Sequence, residues 1–118
     1  MMDPHLHSPL PRGIDAEAAE RLAAPFALLA DPSRLRIVYA LAEGGPRCVQ
    51  DVAAAAELGE SATSHQLAKL KAAGVVRSER KGREVWYRIA DAHIRLLLDV
   101  AAEHYLEADH LSAREAKP

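Results

Sequence analysis

Four side chains near the end of this 118-residue chain are good ligands for a divalent metal: Asp91, His93, His104 and Glu107. They fall into two pairs, and the two histidines are eleven residues apart. On an α-helix that is close to three full turns, so both project from nearly one face. Along the axis, however, they are about 16 Å apart at a rise of 1.5 Å per residue. Two nitrogens on one tetrahedral zinc lie only about 3.4 Å apart, given Zn–N bonds near 2.0–2.1 Å. One chain therefore cannot close a site. Two antiparallel copies of the same helix can, with Asp91/His93 of one protomer facing His104/Glu107 of the other. Two-fold symmetry then gives two equivalent sites, and Ile94, Leu97, Leu98, Ala101 and Tyr105 supply an apolar seam. Four nitrogen and oxygen ligands with no open position suit a structural or regulatory Zn(II), not a catalytic one. A plainer reading stands beside this one: Asp91 is a helix cap, Glu107 a solvated acid, and the histidines are surface residues.

A second group of residues points to nucleic acid. In ATSHQLAKLKAAG, Leu67, Leu70 and Ala73 recur at three-residue steps and are expected to pack inward. Thr63, Ser64, His65, Gln66 and Lys69 are then left for the outside, near the start of a helix. Hydroxyl, amide and ammonium groups in that layout can reach phosphates and base edges in a major groove, and Gln66 could pair with adenine through both amide atoms. Further on, Lys81-Gly82-Arg83 sets two cations on a tight turn within reach of flanking phosphates or the minor groove. Between Ser61 and Arg88 seven Lys and Arg residues face two Glu, a local charge of +5. The whole chain carries -2, so the remainder carries -7. A basic patch on an acidic body attracts phosphate whatever the net charge. Taken singly, each of these residues also fits as a cap or a turn; the ordered combination favours double-stranded DNA as the partner.

These residues need elements to hold them. Residues 1–13, with three prolines and two histidines, are expected to form a flexible N-terminal arm. Asp15 caps a helix over IDAEAAERLAAPFALLA, which Pro25 is expected to kink or split. Asp31 and Pro32 start a second helix, PSRLRIVYALAEGG, with Leu35, Val38, Leu41 and Ala42 toward the core. Val49 to Leu58 and the segment after Gly59 (with Ser61 or its neighbour as cap) read as two short helices around a tight turn, a helix-turn-helix. VVRSER and EVWYRIA flank KGR as a β-hairpin, and a last helix runs from Asp91 to about Asp109. The expected fold is mainly α with one β-hairpin: a winged helix-turn-helix with dimerisation helices at both ends. The winged domain spans residues 14–110 and a polar tail residues 111–118. Cys48 is the only cysteine, which excludes an internal disulfide and fits a reducing cytoplasm. No apolar run is long enough to span a bilayer, and the first residues lack a signal-peptide core. There is no HExxH, no phosphate-binding glycine loop and little room for a pocket, so neither an enzyme nor a small organic substrate is expected.

ALLADPSRLRIVYALAEG, CVQDVA, ESATSHQLAKLKAAGVV, RKGREVWYRI and the pattern D-x-H-x10-H-x2-E together resemble the ArsR/SmtB family of metal-responsive repressors. The resemblance covers residues 15 to 108. It implies a homodimer that holds operator DNA when metal-free and releases it when metal binds. The zinc ligands it implies fall on Asp91, His93, His104 and Glu107 without departure, and it implies that His104 reaches the backbone near Gly74. Thiolate-based sensors in the family carry a CxC-type pair, whereas this chain has Cys48-Val49-Gln50-Asp51. Cys48 and Asp51 match half of a second metal site that some zinc sensors complete from the N-terminal arm, where His5 and His7 stand here; the arm has no cysteine, and a small buried thiol is the other reading of Cys48. Nickel- and cobalt-sensing relatives extend the same helix site with further histidines, which leaves Ni(II)/Co(II) open beside Zn(II) through His5, His7 and His110. A DNA-binding winged-helix dimer that senses no metal is the remaining alternative.

Overall fold

The computed structural model describes residues 13–107. The expected arm and tail lie outside them apart from Gly13, as do His5, His7 and His110. Helix α1 (Ala16–Leu29) starts where the Asp15 carboxylate accepts the Ala18 N–H at 2.8 Å. It runs through Pro25 as one helix, so the proline does not split it. Proline deletes one helical hydrogen bond, and on this exposed helix water can solvate the carbonyl it frees. No residue of α1 is buried.

Helix α2 (Pro32–Gly44) opens with Asp31 accepting the Arg34 N–H at 2.9 Å and Pro32 in its first turn. It ends at Gly45, whose φ of 76° is the left-handed region that glycine adopts without strain. Ile37, Val38, Ala40 and Leu41 are its buried face, so the inward stripe includes Ile37, while Leu35 and Ala42 sit half-buried at its edge. A two-residue strand β1 (Arg47–Cys48), not expected from sequence, leads into α3 (Val49–Ala56). Glu57, not Gly59, terminates α3: at φ 58° it takes the left-handed cap, and its N–H returns to the Ala53 and Ala54 carbonyls. Gly59 instead forms the N-cap of α4 (Glu60–Ala72), the place expected for Ser61 or its neighbour.

Strands β2 (Val76–Lys81) and β3 (Glu84–Ile89) form the hairpin, joined by Gly82 and Arg83 with Gly82 at φ 63°. The sheet order is β1-β3-β2, and β1 pairs antiparallel with β3 (Cys48 opposite Trp86). This third strand ties the wing to the segment between α2 and α3. Last come α5 (Ala92–Ala102), capped by Asp91, and a π-helical turn over Glu103–Glu107. Ile37, Val38, Leu41, Val52, Leu67, Leu70, Val75, Val76, Ile89 and Leu98 make one core beneath α2, α3, α4, the wing and α5. Among the described residues no helix is long and apolar enough to cross a membrane.

Candidate nucleic-acid interface and metal centre

Helices α3 and α4 and the turn between them form the expected helix-turn-helix, with α4 as its second helix. One expected contact is wrong. Thr63 is 0% exposed, with no hydrogen-bond partner for its Oγ1 among the described residues. The reason is helical periodicity: Thr63, Leu67 and Leu70 follow i, i+4, i+7 and form the inner face, whereas three-residue steps drift off it. Ala73, expected inside, is accordingly exposed. Gln66 is half-buried on the flank of α4, where its Oε1 accepts from Arg34 Nε at 2.6 Å. A guanidinium only donates, so the amide oxygen must face it, leaving the NH2 and the oxygen's second lone pair. Two-point pairing with adenine would have to share that oxygen with Arg34.

Ser64, His65 and Lys69 are exposed as expected. Ser61, Ser64 and His65 line, with Val49 and Glu60, an open cavity of about 610 Å³ where α3 and α4 begin. Ser61, expected only as a cap, lines the same cavity one turn before Ser64 and His65. Neither α3 nor α4 has a side-chain hydrogen bond to its N-terminus. Their first N–H groups stay free for solvent or phosphate oxygens.

At the wing tip Lys81 and Arg83 are both exposed, and Lys81 Nζ lies 5.7 Å from the Trp86 ring centroid, a cation–π brace. Arg77 and Arg88 stand directly opposite one another on β2 and β3, both exposed. Like charges so placed repel, and an anion alongside relieves the repulsion.

The four expected metal ligands are all exposed on α5 and the turn after it. Asp91 Oδ1 accepts the Ile94 N–H at 3.0 Å. That bond, and behind it His93 and Arg77, holds the Asp91 carboxyl below its ordinary range, so it stays ionised. Among the described residues no three metal-ligating side chains of one chain come together. The π turn widens the angle between His104 and Glu107, because it spreads each turn over more residues than an α-helix. The donor set nevertheless suits a divalent ion: two exposed imidazoles and two carboxylates.

The apolar seam differs from expectation. Leu98 is buried in its own chain and Ile94 packs against the same core, whereas Leu97 and Tyr105 face out as expected, joined by Leu96, Val100 and Leu106. Two bonds fix this rotation: Tyr39 Oη donates to the Leu98 carbonyl and Arg95 Nη1 to the Ala42 carbonyl, each at 2.6 Å. An apolar groove of about 610 Å³ runs beside them between α2 and the chain end, lined by Leu35, Tyr39, Ala101, Ala102, Tyr105 and Leu106 among others. Burial, and behind it Asp99, raises the Tyr39 hydroxyl above its ordinary range, keeping it a donor. On α1, Leu22 and Phe26 are exposed as well. His104 stacks edge-on against Tyr105, and among the described residues it makes no hydrogen bond to the Gly74 backbone. Cys48 is buried and Asp51 exposed.

Residues 31–78 match the model of the family described as bacterial regulatory protein, arsR family. The chain is 43% identical over 99 residues to a transcriptional repressor SmtB homolog of Synechocystis, covering 84% of this chain and 74% of that one. Among solved structures it resembles AntR, an antimony-specific transcriptional repressor (TM-score 0.74, 32% identity, covering 93% of this chain and 97% of that one). It also resembles a homodimeric winged helix-turn-helix DNA-binding domain from Mycobacterium bovis (TM-score 0.68, 32% identity, 84% and 95% covered). All three are described as transcription factors or DNA-binding domains.

Proposed function

From the premise that the chain belongs to the ArsR family of bacterial regulatory proteins, we propose that it is a homodimeric repressor whose hold on operator DNA is released by Zn(II). Ser61, Ser64, His65 and Lys69 on α4 and Lys81 and Arg83 on the wing contact the duplex. Asp91 and His93 of one protomer and His104 and Glu107 of the other hold the ion, which supplies a charge that draws the two α5 helices into one arrangement. The observation that carries this reading is where the unburied apolar surface lies. The large exposed hydrophobic residues sit on or beside α1 and on α5 with its final turn, and the two ligand pairs bracket the α5 patch. An interface between copies accounts for both features together.

The domain so used spans residues 14–110. Antimony, named in the description of AntR, is a soft element that favours thiolates, and a single buried Cys48 makes a poor site for it. The second-site pair Cys48 and Asp51 is not part of the proposal.

Release is a coupling free energy: the ion is held more tightly by the arrangement that fits DNA less well, and each ligand weakens the other by the same factor. The test is operator affinity at controlled free Zn(II). The expected result is one zinc per protomer and a loss of affinity on the order of tenfold or more, within the usual 5–150-fold range of such couplings. His93→Ala protein is expected to hold DNA as tightly as wild type and to ignore zinc. Undiminished release from that variant sinks the metal reading and leaves the DNA reading intact.

A further inference from the structure

One guanidinium joins the two ends of the machinery. Arg34 Nη1 donates to the Leu28 carbonyl in the last turn of α1 at 3.0 Å, and Arg34 Nε donates to Gln66 on α4 at 2.6 Å. Its own backbone is fixed by the Asp31 cap. Helix chemistry explains the first bond: the last four carbonyls of a helix lack internal partners. In α1 the Ala30 N–H takes those of Phe26 and Ala27, and Arg34 takes Leu28, a cation at the negative end of the helix. Among the described residues this is the one hydrogen bond joining α1 to the rest of the fold, and Arg34–Gln66 is the one made by a side chain of α4. A planar fork with fixed donors holds both partners at a set distance, which a lysine ammonium would not.

We propose that Arg34 is a positioning residue that fixes the recognition helix to the dimerisation helix and so sets the half-site spacing the dimer accepts. The inference rests on the DNA-binding homodimer proposed above. A two-fold dimer reads two half-sites at the separation of its two recognition helices. That separation is rigid only if each α4 is rigid with respect to the helices at the dimer axis. Apolar packing of α4 on α2 holds the helix down, but non-directional contacts leave rotation and sliding soft. The Arg34 bonds are directional and run to α1 itself. Gln66 is thereby a strut partner, not a base reader.

The test starts from the full chain and a random duplex pool, from which wild type selects a paired half-site. Duplexes carrying that pair at separations stepped by one base pair then measure spacing tolerance. Wild-type affinity is expected to fall roughly tenfold for a one-base-pair change, comparable with one mismatched base pair. Arg34→Met removes both bonds of the strut and Gln66→Met removes one. Both are expected to bind within a few-fold of wild type at the selected spacing while their penalty for a changed spacing largely disappears. Gln66→Glu keeps an acceptor for Arg34 and is expected to retain the wild-type profile. Should Arg34→Met fail to fold, the half-exposed Gln66→Met carries the comparison. Wild-type spacing profiles in the Met variants overturn the proposal, and so does a changed half-site sequence, which would make Gln66 a reader. If wild type itself selects no sequence, the DNA-binding reading falls first, and this one with it.

Discussion

Leu67 and Leu70 on the recognition helix are fully buried within their own chain, whereas Leu97 and Leu106 at the chain end stand 43% and 71% exposed. The two regions thus use the same residue type to opposite ends. The reading head (α2 to β3) closes its core by itself: Ile37, Leu41, Val52, Leu67 and Val76 are sealed without help from another molecule. Helix α1 has no fully buried residue and α5 only Leu98, yet both carry apolar stripes. The difference teaches that folding and assembly are separable here. Substitutions in the head act on one chain, and substitutions on the terminal helices are expected to act on the proposed dimer.

The largest effect is expected in the head. Leu67→Ala removes a fully buried side chain from the centre of the core, at a cost of about 2–5 kcal/mol. Thermal or denaturant unfolding should show that loss irrespective of protein concentration. A loss that vanishes at high concentration would mean the head is not self-sufficient. Leu97→Glu tests the other side. The folded protomer should keep its circular dichroism, while the proposed dimer weakens on the order of a thousandfold, because a two-fold interface meets the charge twice at about 2 kcal/mol each. Sedimentation at several concentrations reads this, and an unaltered dimer would remove α5 from the interface.

A smaller effect returns to the head. The Thr63 hydroxyl is buried without a partner, so Thr63→Val should leave stability unchanged or raise it by up to about 1 kcal/mol. DNA affinity should not change. A clear loss of affinity would restore Thr63 to the contact set from which its burial removed it.

Much of this division was legible in the sequence because local signals agree with the global fold. Asp15, Asp31 and Asp91 read as caps and are caps, and the order of four helices, hairpin and final helix holds. What escaped has specific causes. Strand β1 is two residues long and exists only by pairing with β3, which no local pattern announces. Thr63 is polar, which suggests the outside, but its phase relative to Leu67 and Leu70 turns it inward. Leu98 falls in the expected α5 seam with Ile94, Leu97, Ala101 and Tyr105, but a largely apolar helix can turn such a residue to its own core or to a partner. The bonds from Tyr39 and Arg95 decide between these, and they join residues 59 and 53 positions apart. The strut from Arg34 to Gln66, 32 positions apart, is invisible for the same reason.

The smallest expected effect is the sharpest probe of the boundary between the two regions, because Asp91 serves both. Within one chain it caps α5, and in the proposed dimer it binds zinc. Its carboxyl ionises below the ordinary value of 3.8, chiefly through the Ile94 N–H. A carboxylate whose folded pKa is depressed adds stability above its unfolded value and loses it as pH falls through the folded one. The increment is therefore whole at neutral pH and disappears only under acid below 3.8. Asparagine caps a helix as well as aspartate does but carries no charge. Asp91→Asn should thus keep the cap at every pH, melt close to wild type at neutral pH without wild type's loss in acid, and bind DNA normally without metal. Zinc affinity should fall, since an anionic ligand has become neutral. If Asp91→Asn takes up zinc as tightly as wild type in a competition with a chelator, Asp91 is a cap alone. The ion must then be held by His93, His104 and Glu107 without it.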